Sequence, residues 1–246
     1  MEYQLGEFTI REHEQLDSTN SEASRLSFDE MKDKMVILTY CQTRGRGQIG
    51  NHWESAPQKN ISMTVILKPD DLLATDQFAI SIIAALGVRD LVARHVSGVS
   101  IKWPNDIYVG DRKIAGILIE HTIMGNRVGC SFCGIGLNVN QERFLSDAPN
   151  PVSLYQLLGR ELSLPVVLEE LLDCIASRYR QLNDLPALKA EFLRHLYRRS
   201  GTYRWQDTAG EEFQASIQGI DEYGRLLLSD TTGHTRVFGF KEVKYL

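Results

Sequence analysis

The stretch VSIKWPNDIYVGDRKIAGILIEH, residues 99–121, carries the strongest structural signals in the chain. Two apolar, β-branched runs flank the turn sequence VGDR, and this pattern predicts an antiparallel hairpin. Pro104 fixes a turn, so Asn105 and Asp106 present two short polar side chains where a strand begins. Lys113 stands in the next strand among apolar neighbours, where a lysine either reaches solvent or is buried facing an anion. Gly116 has no side chain, which leaves room for a flat ligand against the sheet.

The segments around this hairpin predict one mixed α/β domain. Apolar runs predict strands over residues 8–16, 35–41 and 60–68, and the turn sequence MGNR predicts a second hairpin. Apolar residues at helical spacing predict a long amphipathic helix over residues 76–96. Three further helices are predicted from about residue 153, over 165–182 and over 186–199. Thr19 and Glu22 fit the S/T-x-x-E capping box, which predicts a short helix beginning there.

The chain changes character after Gly201. Short strand-like runs are separated by the turn sequences TAG, DEYG and TTG at intervals of about ten residues, as in a small antiparallel β-barrel. We therefore predict two domains, a mixed α/β domain over residues 1–199 and a small β-barrel over residues 200–246.

Composition excludes several classes of protein. The chain has 246 residues with 43% hydrophobic and 24% charged residues, which is typical of a globular protein. Its net charge of −5 argues against general nucleic-acid binding, so any anion site must be local. No apolar run is long enough for a membrane span, and the first residues lack the pattern of a signal peptide. Four cysteines without a framework spacing indicate a cytoplasmic protein.

The loop QTRGRGQIGNHW, residues 42–53, is a candidate anion site. Its glycines at 45, 47 and 50 allow the backbone to approach a ligand closely. Exposed amides with Arg44 and Arg46 nearby form a cradle for an anion, and Trp53 offers a stacking face. The loop matches neither the Walker pattern nor the Rossmann spacing. Taken alone, it is better explained as a flexible surface hairpin, because such loops are common.

Five motifs together resemble those of biotin–protein ligases, in the same order along the chain. They are DSTN (17–20), QTRGRGQ-x-G-x-x-W (42–53), KWPNDI (102–107), RKIAGILIE (112–120) and GIGLNVN (134–140). The third and fourth motifs are highly specific, and the glycine-rich loop is less so. The resemblance covers the whole chain. It implies a class II synthetase-like biotin/lipoate ligase catalytic fold, α/β with a mixed sheet, followed by a Src-homology-3-like barrel.

The resemblance also implies a two-step reaction. The carboxylate of biotin attacks the α-phosphate of ATP, which releases pyrophosphate and leaves biotinyl-5′-adenylate. A lysine of a biotin carboxyl carrier domain then attacks the adenylate, giving an amide and AMP. Such an enzyme mainly positions its substrates and neutralises charge, and it needs no protein nucleophile. ATP and Mg²⁺ are the implied co-substrate and ion, without a tightly bound prosthetic group or a fixed protein metal site. Members of the family often associate through their sheets, so a homodimer and a monomer both stay open.

Motif positions imply roles for individual residues. The catalytic residues implied are Arg46, Lys113 and Asp106, the first two holding the biotin carboxylate and the α-phosphate. Asp106 is the implied helper for Mg²⁺ or for the incoming amine. The residues implied around biotin are Ser18, Thr19, Asn20, Gln42, Gly45, Arg46, Lys113 and Gly116. The residues implied around the nucleotide are Arg44, Gly47, Gln48, Trp53, Asn105 and Asn138.

The chain departs from the family pattern at Gln48, where an arginine is usual. That position is associated with holding the adenylate until transfer, and a glutamine brings no charge. Retention of the adenylate is therefore expected to depend on Arg44, Arg46 and Lys113, or to be weaker than usual. The chain also begins at the catalytic domain, without the helix-turn-helix of repressor members, so operator binding is not expected.

Three other functions compete with this interpretation. A lipoate or octanoate ligase or transferase shares the fold, but its glycine-rich signature has an arginine pair followed by a triple glycine, which this chain lacks. A non-catalytic sensor of biotin or biotinyl-adenylate would not require Arg46, Asp106 and Lys113 together. A nucleotide-binding interaction module would leave DSTN and Gln42 unexplained. The pair Cys130 and Cys133 is interpreted as structural, because residues three apart in a strand face opposite sides.

Overall fold

The computed structural model describes residues 1–48, 51–146 and 149–246. Its strands, in chain order, are β1 Glu2–Leu5, β2 Phe8–His13, β3 Met35–Thr39, β4 Gly45–Arg46, β5 His52–Trp53, β6 Ile61–Leu67, β7 Val99–Lys102, β8 Asp106–Val109, β9 Arg112–Met124, β10 Arg127–Leu137, β11 Tyr203–Asp207, β12 Glu212–Ile220, β13 Leu226–Asp230, β14 Thr235–Phe238 and β15 Val243–Tyr245. Its α-helices are α1 Thr19–Arg25, α2 Phe78–His95, α3 Leu154–Leu158, α4 Leu164–Tyr179 and α5 Leu185–Arg194. Among these described helices, none is long and apolar enough to cross a membrane.

Eight strands form the main sheet, in the order β1-β2-β3-β6-β10-β9-β8-β7. β2 and β3 run parallel, whereas the other neighbours in this sheet are antiparallel. The two predicted hairpins are confirmed as β8–β9 and β9–β10. The sheet is therefore mixed, as predicted. Its two longest strands, β9 and β10, are neighbours and lie between β6 and β8.

Apolar side chains of β3 alternate between two cores, which explains why its sequence is a continuous apolar run. Val36 and Leu38 belong to the larger core with residues of α2 and α4. Met35 and Ile37 belong to a smaller core on the other face, together with Ala23 of α1. A strand buried on both faces needs no polar alternation.

The N-terminus of α1 differs from the prediction. The N-cap is Ser18, whose side chain accepts a hydrogen bond from the backbone N–H of Ser21 at 3.5 Å. The predicted capping box, which placed the N-cap at Thr19 and its carboxylate at Glu22, is therefore wrong by one residue. The Thr19 backbone N–H donates instead to Gln42 Oε1 at 3.0 Å, so a tertiary contact fixes the start of the helix.

The C-terminal segment forms a five-stranded antiparallel sheet, in the order β14-β13-β12-β11-β15. Its apolar side chains, including Trp205 and Leu228, join the same large core cluster as Phe78 and Trp103 of the main domain. The indole N–H of Trp103 donates to the backbone oxygen of Gly224 at 2.9 Å. The boundary at residue 199 stays a prediction, since the two parts share one continuous core.

Cys130 and Cys133 lie on opposite faces of β10. Cys130 packs in the smaller core and Cys133 in the larger one, and both are free thiols. Burial raises the pKa of the Cys130 thiol to about 11, which keeps it protonated at neutral pH. The pair contributes packing, as the strand spacing indicated.

Candidate active site

The start of α1 forms one wall of a cavity on the α1 face of the main sheet. Ser18, Thr19 and Asn20 are all buried, at 3–4% exposure. The Thr64 hydroxyl on β6 lies 2.9 Å from Thr19 Oγ1 and 2.6 Å from Asn20 Oδ1. Gln42 Oε1 accepts from the Thr19 backbone, as described above. These contacts hold the polar groups of the DSTN motif against the sheet.

The ribbon of β4 and β5 forms a second wall. Gly45 pairs with Trp53 and Arg46 with His52. A Cβ atom at position 45 would lie 2.3 Å from the backbone oxygen of Trp53, so only glycine permits this approach. The predicted role of Gly50 lies outside the described residues.

Two facing glycines form the floor. Gly116 on β9 is directly opposite Gly136 on β10. A Cβ atom would lie 3.0 Å from the Trp53 ring at position 116 and 2.4 Å from it at position 136. The indole therefore rests on bare backbone. Its N–H is buried and has no hydrogen-bond partner within the described residues, a costly state that a ligand acceptor would relieve.

Lys113 faces the cavity, which resolves the alternative left open by its sequence context. Its Nζ atom lies 2.6 Å from Asp106 Oδ1 and 5.6 Å from the centroid of the Trp53 ring. A bulge between β8 and β9 separates the pairs Ile107–Ala115 and Tyr108–Lys113. This irregularity brings the lysine next to the first residue of β8. Asn105, just before that strand, donates from its side chain to the backbone oxygen of Ile117.

Arg46 is the second cation at the cavity. Its Nη2 atom lies 2.6 Å from Glu120 Oε1, and its Nη1 atom lies 3.3 Å from Glu120 Oε2. Asn20 Nδ2 donates to the same carboxylate at 2.9 Å. Arg46 and Lys113 thus each carry an internal carboxylate partner, and the charges of these two pairs sum to zero.

These elements enclose a cavity of about 110 Å³. The predicted residues that line it are Ser18, Thr19, Asn20, Gln42, Arg46, Gly47, Gln48, Trp53, Asn105, Asp106, Lys113 and Gly116. Gly134 and Gly136 of the fifth motif also line the cavity. All five motifs therefore supply residues around it.

Arg44, Gly45 and Asn138 are predicted site residues outside the described cavity lining. The Arg44 side chain is 82% exposed and lies 3.7 Å from Asp17. Gly45 lies against the backbone of Trp53, with which it pairs. Asn138 is 2% exposed and donates to the backbone oxygen of Val152, while its Oδ1 atom has no partner in the described chain. Their predicted roles stay predictions.

Sequence reasoning missed Glu120 and Thr64. Glu120 is the last residue of the RKIAGILIE motif. It shares a strand face with Gly116 and Leu118, because alternate residues of a strand point the same way. That period could have identified it. Thr64 stands in an apolar run and had no comparable signal.

The cavity opens into a larger groove of about 690 Å³. Arg46, Gln48 and Asn105 line both spaces. The groove is further lined by Phe78 at the start of α2 and by Tyr223 and Phe240 of the C-terminal segment. The glycine-rich loop, the start of α2 and the C-terminal segment therefore meet at the mouth of the cavity.

Comparison with known proteins identifies the class. The model of the biotin/lipoate A/B protein ligase family matches residues 12–138, about half of the chain. The chain belongs to this family, as its motifs predicted.

The relatives include named biotin ligases. The bifunctional ligase/repressor BirA of Bacillus subtilis is 31% identical over 235 residues, covering 92% of this chain and 71% of that protein. The biotin–[acetyl-CoA-carboxylase] ligase of Paracoccus denitrificans is 31% identical over 234 residues, covering 88% of this chain and 92% of that protein. Among solved structures, biotin protein ligase from Aquifex aeolicus in complex with biotin and ATP has a TM-score of 0.78 at 20% identity, covering 96% of this chain and 99% of that chain. This likeness confirms the predicted fold.

Proposed function

We infer that the protein catalyses the ATP-dependent attachment of biotin to a lysine of a biotin carboxyl carrier domain, through biotinyl-5′-adenylate. The observation that carries this conclusion is the cavity itself. Hydroxyl and amide groups of Ser18, Thr19 and Gln42, together with two paired cations, surround a space floored by glycine. A ligand with a polar ring, an apolar body and a terminal carboxylate fits this sequence of surfaces.

The ureido ring of biotin is assigned to the hydroxyl and amide groups of the cavity. Ser18, Thr19 and Gln42 offer hydroxyl and amide groups that can both donate and accept. Their backbone and side-chain contacts hold them in place without a ligand. Such fixed partners favour a ring that carries both N–H donors and a carbonyl acceptor.

The reacting anions are assigned to Arg46 and Lys113. Adenylate formation brings the biotin carboxylate against the α-phosphate of ATP, and the two groups repel each other. Cations fixed before the reaction stabilise the charge that develops as the oxygen–phosphorus bond forms and pyrophosphate leaves. Asp106, 2.6 Å from Lys113, keeps the ammonium group in place.

Trp53 has to move when the substrate enters. The cavity of about 110 Å³ is well below the ~300–1,000 Å³ of typical ligand pockets. The indole fills the missing space above Gly116 and Gly136. We assign it to the adenylate, over which it can stack after leaving the floor.

In the second step the neutral amine of an acceptor lysine attacks the acyl carbon, and AMP leaves with its bonding electrons. The amine must lose a proton, and we assign its removal to Asp106, a carboxylate that lines the cavity. The same carboxylate suits Mg²⁺, which proteins hold through one or two carboxylates together with substrate phosphates. We propose that the ion arrives with ATP, bound by its phosphates and by this one carboxylate.

The assignments of partner and compartment depend on the net charge and the cysteines of the chain. A net charge of −5 favours a protein partner over nucleic acid. Free thiols at Cys41, Cys130, Cys133 and Cys174 are compatible with the cytoplasm.

One assay tests the function. Exchange of labelled pyrophosphate into ATP is measured with Mg²⁺ and with biotin, lipoate or octanoate, and a carrier domain is then added. We expect exchange with biotin alone, followed by the mass increase of one biotinyl group on the carrier lysine. Exchange with lipoate or octanoate would assign the chain to the other branch of its family. Binding of biotin without exchange would identify a sensor.

A further inference from the structure

Glu120 contacts the site and has no part in the chemistry proposed above. We propose that Glu120 is a positioning residue that holds Arg46 at the mouth of the cavity, so that the guanidinium is already in place when biotin enters. This proposal rests on the proposed function, since it concerns the anion that Arg46 receives.

The contact between the two side chains is two-pronged. Both terminal nitrogens of Arg46 reach the carboxylate, at 2.6 and 3.3 Å. Paired N–H donors on a planar guanidinium fix its orientation as well as its position. Arg46 lies on a strand of only two residues, so the short ribbon alone provides little restraint.

Glu120 is itself oriented by Asn20. The Asn20 side chain donates to Glu120 Oε2 at 2.9 Å and to the Leu118 backbone oxygen at 3.2 Å, which uses both protons of Nδ2. Its Oδ1 atom accepts from Thr64 at 2.6 Å. The amide is therefore engaged at both ends, and Asn20 acts on the site through Glu120.

Gly134 makes this arrangement possible. A Cβ atom at position 134 would lie 2.1 Å from Asn20 Oδ1, closer than real atoms approach. The bare backbone of β10 gives the Asn20 amide its place on the sheet. A chain of contacts thus runs from Gly134 through Asn20 and Glu120 to Arg46.

The two partners of the pair face different spaces. Arg46 lines both the cavity and the groove, whereas Glu120 lines the groove. A guanidinium has five N–H donors, and Glu120 engages it from the groove side. The cavity side of the guanidinium therefore stays available to a substrate anion, and binding does not require the internal pair to break.

Loss of the contact between Glu120 and Arg46 should change the affinity for biotin more than the stability of the fold. The two side chains are 43% and 37% exposed, and pairs this exposed contribute little to the free energy of unfolding. Ordering a long side chain during binding costs free energy that a preformed contact avoids. Loss of Glu120 should therefore weaken biotin binding most. The chemical step should change less, because the bound carboxylate then orders Arg46 before the reaction.

The test compares Glu120→Ala with wild type in pyrophosphate exchange and in calorimetric titration with biotin. We expect Kd and KM for biotin to rise about three- to tenfold, the range for one newly ordered side chain, with kcat changed less than about twofold. Glu120→Gln keeps an acceptor for Asn20 and for one guanidinium nitrogen, so its values should lie between the two. In an Arg46→Ala background, the Glu120→Ala change should add nothing further.

The matched control is Glu2→Ala, which removes the carboxylate of an exposed pair with Arg11 at 3.1 Å and should leave every constant unchanged. Unchanged or tighter biotin binding in Glu120→Ala would overturn the proposal, and tighter binding would show that substrate displaces Glu120. An equal effect in the Arg46→Ala background would overturn it as well, since the residue would then act independently of the arginine. Failure of wild type to bind biotin would instead count against the proposed function.

Discussion

The motif KWPNDI, residues 102–107, supplies two regions of the molecule that are built in opposite ways. Lys102 and Trp103 contact the C-terminal segment, at a junction that is buried and mostly aromatic. Asn105 and Asp106 line the cavity, where charged groups stay partly exposed. One short turn therefore joins a region that stabilises the fold to a region that performs chemistry.

Lys102 and Trp103 find their polar contacts within the junction, whereas the buried Tyr245 hydroxyl has no partner among the described residues. Lys102 Nζ lies 3.1 Å from the Tyr108 hydroxyl, and 4.7 and 4.9 Å from the ring centroids of Tyr108 and Tyr245. Burial lowers the pKa of Lys102, and the facing rings stabilise its charge. Trp103 is 3% exposed, with its N–H bonded to Gly224.

The cavity leaves its polar groups available. The Trp53 N–H is buried without a partner among the described residues, and each cation is held by a carboxylate on one side only. A buried polar group without a partner inside a cavity is one that a bound ligand can satisfy. The comparison predicts that cavity substitutions change activity at constant stability, and that junction substitutions do the reverse.

The largest effect is expected for Lys113→Ala. Removing a preorganised donor from the developing charge should lower the rate of biotin-dependent pyrophosphate exchange by about 10²- to 10³-fold. The melting temperature should stay close to that of wild type, because the side chain is partly exposed. Exchange and thermal unfolding by circular dichroism measure the two quantities.

The control for this variant is Lys59→Ala, which removes a surface lysine 2.6 Å from Glu161. Both exchange and melting temperature should be unaffected there. Exchange within threefold of wild type in Lys113→Ala would contradict the assigned role of the lysine.

Trp103→Phe tests the junction. The change removes the indole N–H and leaves the Gly224 oxygen unpaired in a buried place, at a cost of about 1–3 kcal/mol of unfolding free energy. Urea denaturation measures the loss, and KM for biotin should not change. Tyr223→Phe, which removes an exposed hydroxyl next to Gly224, should leave stability as it is. If Trp103→Phe raised KM for biotin at unchanged stability, the division between the two regions would be wrong.

Sequence patterns were sufficient for most of the elements and of the cavity, but they did not predict β1 or the β4–β5 ribbon, and they extended the last helix beyond Arg194. Turn sequences such as VGDR and MGNR fixed both hairpins, because turns depend on local chemistry. The motif resemblance located Gln42, Lys113 and Asp106 near one ligand, and all three line the cavity.

Contacts between distant segments were beyond reach. Trp103 and Gly224 are 121 residues apart, and nothing local in either segment indicates the other. The N-cap was misplaced for the same reason, since Gln42, which is distant in sequence, engages the Thr19 backbone. A lysine between apolar neighbours had two possible directions, and only the bulge beside Tyr108 decides between them.

The smallest effect is expected at Gln48, which lines both the cavity and the groove and carries no charge. Gln48→Arg adds a cation near the phosphate of the adenylate. An exposed pair of this kind contributes ~0.2–1 kcal/mol, so release of biotinyl-adenylate should slow by about two- to fivefold. Release is measured in a single turnover, by separating free from enzyme-bound adenylate in the absence of carrier. Gln48→Met, similar in length but uncharged, should release at the wild-type rate. Equal release from the arginine variant and wild type would remove the idea that this position controls retention, and would leave retention to Arg44, Arg46 and Lys113.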